Sequence, residues 1–164
     1  PKSFGHGKVT IPNLKNIYMI KKLFRKMSEK VATRMRKNHY ESNTFVIGYK
    51  IFSGWNTRKF RVSDYTNNGN EIYRLCLQMI SLIKPYMGIY QIQITALDPK
   101  PTNLQSSIFD TRLNTQQKKI DIVMDDINEK YQKHTILPAR ILQEDESPDV
   151  IAPSWRPDGS KRSV

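Results

Sequence analysis

Residues 44–64 read TFVIGYKIFSGWNTRKFRVSD. Phe45, Ile47, Tyr49 and Ile51 alternate with Thr44, Val46, Gly48 and Lys50, the two-residue period of a strand with one buried face. SGWNT then supplies a turn. RKFRVSD resumes the alternation, with Phe60 and Val62 inward and Lys59 and Arg61 outward. Two such runs around a short turn predict an antiparallel hairpin whose apolar face needs cover.

Upstream, Leu14 to about His39 predicts a helix. Ile17, Ile20, Phe24, Met27, Val31 and Met35 recur at steps of three and four, and most of the Lys and Arg fall off that stripe. Before it, Lys8–Ile11 is a short β-prone run, punctuated by Pro12-Asn13. After the hairpin, NNGN offers Asn68 or Asn70 as a cap for a second helix, Glu71 to Met87, which Pro85 and Gly88 stop. Ile72, Leu75, Cys76, Met79, Leu82 and Ile83 share its apolar face, where Cys76 is most simply a small buried hydrophobe. Ile89 to Leu97 alternates once more. The order β-α-β-β-α-β predicts an α+β fold: a two-layer sandwich of a four-stranded, mainly antiparallel sheet with two helices on one face. The helices cover Phe45, Ile47, Tyr49, Phe60, Val62, Ile92 and Ile94. The other face is expected to carry Lys8, Thr10, Lys50, Lys59, Arg61, Gln91, Gln93 and Thr95, with no acid among them.

A third helical pattern spans 115–132, with Thr115 as its cap and Ile120, Val123, Met124, Ile127 and Tyr131 as its stripe. The Pro-, Ser- and Gly-rich end is read as disordered. The expected organisation is a domain over 1–102, an exposed linker over 103–111, a helical extension over 112–143 and a tail over 144–164.

Charge separates the chain into two parts. Residues 1–63 hold 15 Lys or Arg against two acids, Glu29 and Glu41, whereas residues 64–164 hold 12 against 13. The whole net charge of +12 therefore sits in the first two-fifths, which favours a polyanionic partner, nucleic acid before an anionic membrane. No apolar run reaches the eighteen residues of a membrane span. One cysteine rules out an intrachain disulfide, and a cytoplasmic setting is expected. A first residue of Pro rather than Met suggests a fragment or processed product.

Catalytic signals are sparse. His6, His39 and His134 lack metal-ligand spacing, Cys76 has no nearby His, and GHGK is not a phosphate loop. Asp121, Asp125 and Asp126 read as a solvated helical face. The chain by itself is read as non-enzymatic, with no cofactor of its own. Binding signals are stronger. The small residues of KSFGHG let backbone N–H groups approach phosphates, and Lys50, Arg58, Lys59 and Arg61 form a cationic stripe on the hairpin.

KSFGHGKVTIPN, the hairpin, NNGNEIYRLCLQMISLI and IYQIQITALDP, in that order, resemble the little-finger domain of Y-family translesion DNA polymerases, closest to bacterial SOS-type members. The resemblance covers about residues 1–111. It implies a βαββαβ module that grips primer–template duplex DNA without reading sequence, in an error-prone lesion-bypass polymerase. By position, Lys2, Ser3, Phe4, Gly5, His6 and Lys8 would serve on the first strand, and Lys50, Ser53, Arg58, Lys59 and Arg61 on the second and third. This chain departs from many members on the last strand, where Tyr90, Gln91 and Gln93 replace basic residues. The resemblance also implies that the catalytic carboxylates and their Mg2+ belong to a palm domain of the parent protein, which nothing here matches.

Just past the domain, Gln105-Ser106-Ser107-Ile108-Phe109 matches the Gln-x-x-Leu-Phe pentapeptide by which bacterial members bind the sliding clamp, with Ile for Leu. Gln105 would set register, with Ile108 and Phe109 as apolar anchors. A local hydrophobic latch is the plain alternative for this segment. For the whole chain the alternatives are a basic RNA-binding or ribosome-associated α/β module, with Trp55 as a stacking residue, and an adaptor for an acidic protein.

Overall fold

In the computed structural model residues 1–84, 86–102, 112–131 and 135–136 are described, with the side chains of the third helix from Gln116 onward. The elements are β1 (Ser3–Leu14), α1 (Ile17–Lys37), β2 (Tyr40–Ile51), β3 (Gly54–Thr66), α2 (Gly69–Ile80), β4 (Ile89–Leu97), β5 (Lys100–Pro101) and α3 (Arg112–Tyr131). Four strands line up as β1-β4-β2-β3 with every neighbouring pair antiparallel, and β5 adds a short pairing to the start of β2. The predicted α+β sandwich is therefore the observed fold. Because β4 inserts between β1 and β2, and β2 between β4 and β3, each helix bridges two strands that do not touch. The two helical connections interlock the halves of the sheet.

The core forms where α1 and α2 press on one sheet face. Phe24 and Val31 of α1, Ile72 of α2, and Phe45, Ile47 and Ile94 of the sheet are fully buried. Asn16 starts α1: its side-chain oxygen accepts from the Tyr18 and Met19 backbone N–H groups at 3.0 and 3.3 Å. Asn68 does the same for α2, accepting from Asn70 and Glu71 at 2.8 and 3.2 Å. The hairpin closes in two residues, Phe52 and Ser53, with Ile51 opposite Gly54. Gly54 has φ +135°, a conformation L side chains rarely adopt.

Several boundaries differ from the sequence reading. β1 is three times the length of the expected run and continues through Pro12-Asn13, where Asn13 adopts φ 60°. Leu14 consequently ends β1, opposite Ile89, instead of starting α1. Helix α2 stops at Ile80, seven residues before the expected end. A proline at position 85 in the sequence disfavours helical geometry at the residue before it, so the helix ends ahead of that point. Leu82 and Ile83 accordingly bond to Met79 and Ile80, three residues back. Leu82 is exposed rather than part of the buried face. Helix α3 begins at Arg112, three residues before the proposed cap Thr115.

The packing of α3 is the largest correction. Its apolar stripe is split: Ile120, Val123 and Tyr131 are each more than half exposed, whereas Met124 and Ile127 are half-buried. The helix docks instead through Asp121 and Asp125, which are not a solvated face. Asp125 accepts from Arg36 Nε at 2.6 Å and Nη2 at 3.0 Å, and from Thr33 Oγ1 at 3.2 Å. Asp121 accepts from Asn68 Nδ2 at 2.7 Å and lies 3.9 Å from Arg36 Nη1. Lys37 meets Glu129 at 3.1 Å. The end of α1 offers Thr33, Arg36 and Lys37 to a neighbour, so a carboxylate edge fits there and an apolar one does not. Asp126 alone of the three stays exposed.

Candidate nucleic-acid interface

Neither α1 nor α2 covers the second face of the sheet, and strand register fixes which side chains it bears. Residues directly opposite in a ladder share a face. One row across the sheet is Val9, Gln91, Lys50 and Trp55; the next is Gly7, Gln93, Gly48 and Thr57. Then come Gly5, Thr95, Val46 and Lys59, and last Ser3, Leu97, Thr44 and Arg61. Lys50, Lys59, Arg61 and Trp55 are exposed, and no acid stands in the four rows. The centre is low because Gly48 lies close against β3: a Cβ there would come within 2.7 Å of Thr57 Cγ2 and 3.0 Å of the Asn56 carbonyl. Cations flanking a trough of small and amide residues suit an extended anionic backbone.

Register also sorts the predicted residues. Lys50, Lys59 and Arg61 stand together as expected, and Ser53 is exposed in the turn beside them. Ser3 and Gly5 lie at the opposite edge of the same face, and exposed Lys2 precedes them. Phe4, His6 and Lys8 point the other way, opposite Ala96, Ile94 and Ile92 of the core face. Phe4 packs on Tyr40 with ring centroids 5.6 Å apart, and Lys8 is buried. Lys8 and Thr10 were expected outward; Thr10 instead donates to the Ile89 carbonyl at 2.8 Å beneath the sheet. Within the expected run Lys8–Ile11 the exposed positions are the apolar ones, Val9 and Ile11, so hydrophobicity pointed to the wrong face.

Arg58 is a second correction. It sits opposite Ile47, on the helix side, with its guanidinium 5.5 Å from the Phe60 ring centroid. The stripe on the open face is therefore Lys50, Lys59 and Arg61 without Arg58. Sequence reasoning also missed Arg34, which leaves α1 to donate to the Gly5 carbonyl at 2.9 Å and so holds the first strand. A cation on the polar side of an amphipathic helix carries no mark of which strand edge it reaches.

Two buried titratable groups, Cys76 and Glu29, belong to the packing. Burial pushes the Cys76 thiol up to about 12, and its sulfur lies 3.5 Å from Ser28 Oγ, an unreactive setting. Burial likewise lifts the Glu29 carboxyl above the ordinary range, although Arg25 and Arg36 pull it down. Among the described residues no group of three or more His, Cys, Asp and Glu is placed to hold a metal ion. No helix among them is long and apolar enough to cross a membrane. Gln105, Ile108 and Phe109 lie outside the described residues, as do the expected linker and tail.

Comparison with known proteins places this architecture. The fold is similar to a solved structure described as "Complex of beta-clamp processivity factor and little finger domain of PolIV", at 7% identity and TM-score 0.50, over 66% of this chain and 99% of that one. Identity so low speaks for the fold alone. No curated protein matches the chain. The family model for the impB/mucB/samB family C-terminal domain matches residues 1–108. The chain belongs to the impB/mucB/samB family, and residues 1–108 are its C-terminal domain, the little finger of the Y-family DNA polymerases.

Proposed function

We propose that the helix-free sheet face binds primer–template duplex DNA without reading its sequence, as the little finger of an error-prone lesion-bypass polymerase serving DNA repair and the SOS response. The observation that carries this reading is the in-register placement of Lys50, Lys59 and Arg61 on one open face free of acids. Ser3, Gly5 and Ser53 border that face and can offer backbone or hydroxyl donors to phosphate. Polymerase chemistry and its Mg2+ are assigned to a palm domain elsewhere in the parent protein; residues of this chain supply grip and orientation. Each phosphate neutralised contributes about 0.9 to the salt slope, so replacing Lys50, Lys59 and Arg61 with Glu should flatten the slope by about 2.7 or more and weaken duplex binding on every sequence alike. Fluorescence anisotropy against salt measures this. Unchanged binding, or preference for single-stranded RNA over duplex DNA, overturns the reading.

The second half of the proposal is a sliding-clamp contact through Gln105, Ile108 and Phe109. It rests on the match to the clamp-binding pentapeptide and on the position of that match at the end of the family domain. The little finger of PolIV, a protein of similar fold, has been solved with a β-clamp, which agrees with a clamp partner. Replacing Ile108 and Phe109 with Ala is expected to abolish capture by an immobilised clamp while duplex binding stays intact. Retained capture would sink the assignment.

A further inference from the structure

We infer that the tip of the β2–β3 hairpin is a stacking site for an unpaired nucleotide, so that this face recognises the junction of duplex and single-stranded DNA. The inference rests on the duplex-binding reading and extends it to the shape of the substrate. Trp55 stands directly opposite Lys50 on the helix-free face and is 41% exposed. Three residues before it, in the turn, Phe52 is 94% exposed, the most exposed large hydrophobic residue among those described. Neither ring belongs to the core.

Charge selects the occupant. An exposed ring on a neutral surface would suit many partners, whereas this one shares its face with Lys50, Lys59 and Arg61 and with no acid. Aromatic rings beside cations are the recurring equipment for single strands: the cation holds phosphate while the ring takes the base. At about 3.3 Å per strand residue, Lys59 and Arg61 lie roughly 13 and 20 Å along β3 from Trp55. A duplex gripped by Lys59 and Arg61 reaches the tip within a few base steps, so a junction placed there brings unpaired bases to Trp55. The first unpaired base then meets the Trp55 ring, while Lys50 opposite it holds the last duplex phosphate before the junction. An interior paired base is stacked on both faces and offers neither to a side chain, so on blunt duplex Trp55 can meet only the terminal pair and adds less there than on an unpaired base. The two-residue turn keeps both rings on a stiff element, which limits the ordering cost of capture.

The test uses the full chain with Trp155→Phe, which leaves Trp55 as the sole tryptophan. The probes are a blunt duplex and the same duplex with a single-stranded extension carrying 2-aminopurine at the first unpaired position. The extended duplex should bind about 5- to 100-fold more tightly, with quenching of both Trp55 and 2-aminopurine. Trp55→Ala should remove that preference by lowering affinity for the extended duplex much more than for the blunt one, and Trp55→Phe should retain most of it. Equal affinity of the unmutated tip for both probes overturns the inference, as does an equal loss on both with Trp55→Ala. Insensitivity of blunt-duplex binding to charge reversal at Lys59 and Arg61 would instead strike the duplex reading, so the two failures are separable.

Discussion

Replacing Phe24 with Ala is expected to destabilise the domain by about 3–5 kcal/mol, as truncation of a fully buried Phe generally does. Phe24 is 0% exposed and belongs to the single core cluster that joins α1 to β2, β4 and α2. Each helix here bridges strands that do not touch, so a void under α1 loosens both halves of the sheet. The urea midpoint should fall with an unchanged m-value, because the surface exposed on unfolding is the same. Ile120→Ala is the contrasting control: the residue is 52% exposed on α3, and its truncation should stay within about 0.5 kcal/mol. A loss below about 1 kcal/mol for Phe24→Ala would mean that α1 is not seated on the sheet as described.

What was legible in the sequence follows from how strongly burial constrains each element. β2 and β4 are central strands with one face fully covered, so the alternation at Phe45, Ile47 and Tyr49 and at Ile92, Ile94 and Ala96 reads correctly. β1 is an edge strand. Its Val9 and Ile11 can sit exposed, and Lys8 can run its aliphatic stem over the core rim, so polarity ceases to report the face. Only pairing with β4 settles it. Arg58 misleads for a related reason: on the other edge strand, a cation on the core side is tolerated beside Phe60 where helix cover runs out. Lys50, Lys59 and Arg61 escape these errors because the hairpin pairs in unbroken register from Thr44 opposite Arg61 to Ile51 opposite Gly54. The cation count alone did not distinguish them from Lys8 or Arg58. Helix α3 was visible as a helix but not as a docked one, since its polar contacts use carboxylates while Ile120, Val123 and Tyr131 of its stripe stay exposed.

That docked arrangement gives the second large effect. Arg36→Met should detach α3 while leaving the sandwich folded. Arg36 is the hub of the contact: besides Asp125 and Asp121, it donates to the Asn67 carbonyl at 2.9 Å and to Thr33 Oγ1 at 3.1 Å. Its side chain and that of Asp125 are only 10% and 15% exposed, so the pair is shielded well beyond a surface salt bridge. Burial alone would lower the Arg36 pKa, but the hydrogen bonds and charges of Asp125, with Asp121 and Glu29 beyond, raise it. Removing one partner of such a pair strands the other and costs about 3–5 kcal/mol when it cannot escape. Here it can escape. Asp121 and Asp125 lie on a helix whose Ile120, Val123 and Tyr131 are already in solvent, so the penalty is relieved by undocking and is capped at the docking free energy. The expected outcome is therefore local: amides of α3 lose hydrogen-exchange protection by about 100-fold or more, while those of β2 and β4 keep theirs. Replacing Asp121 and Asp125 with Asn in the Arg36→Met background should add little, because the coupling is already broken. Equal loss of protection in α3 and the central sheet would show that α3 is part of one cooperative unit. Undiminished α3 protection would show that the Arg36 contacts do not hold it.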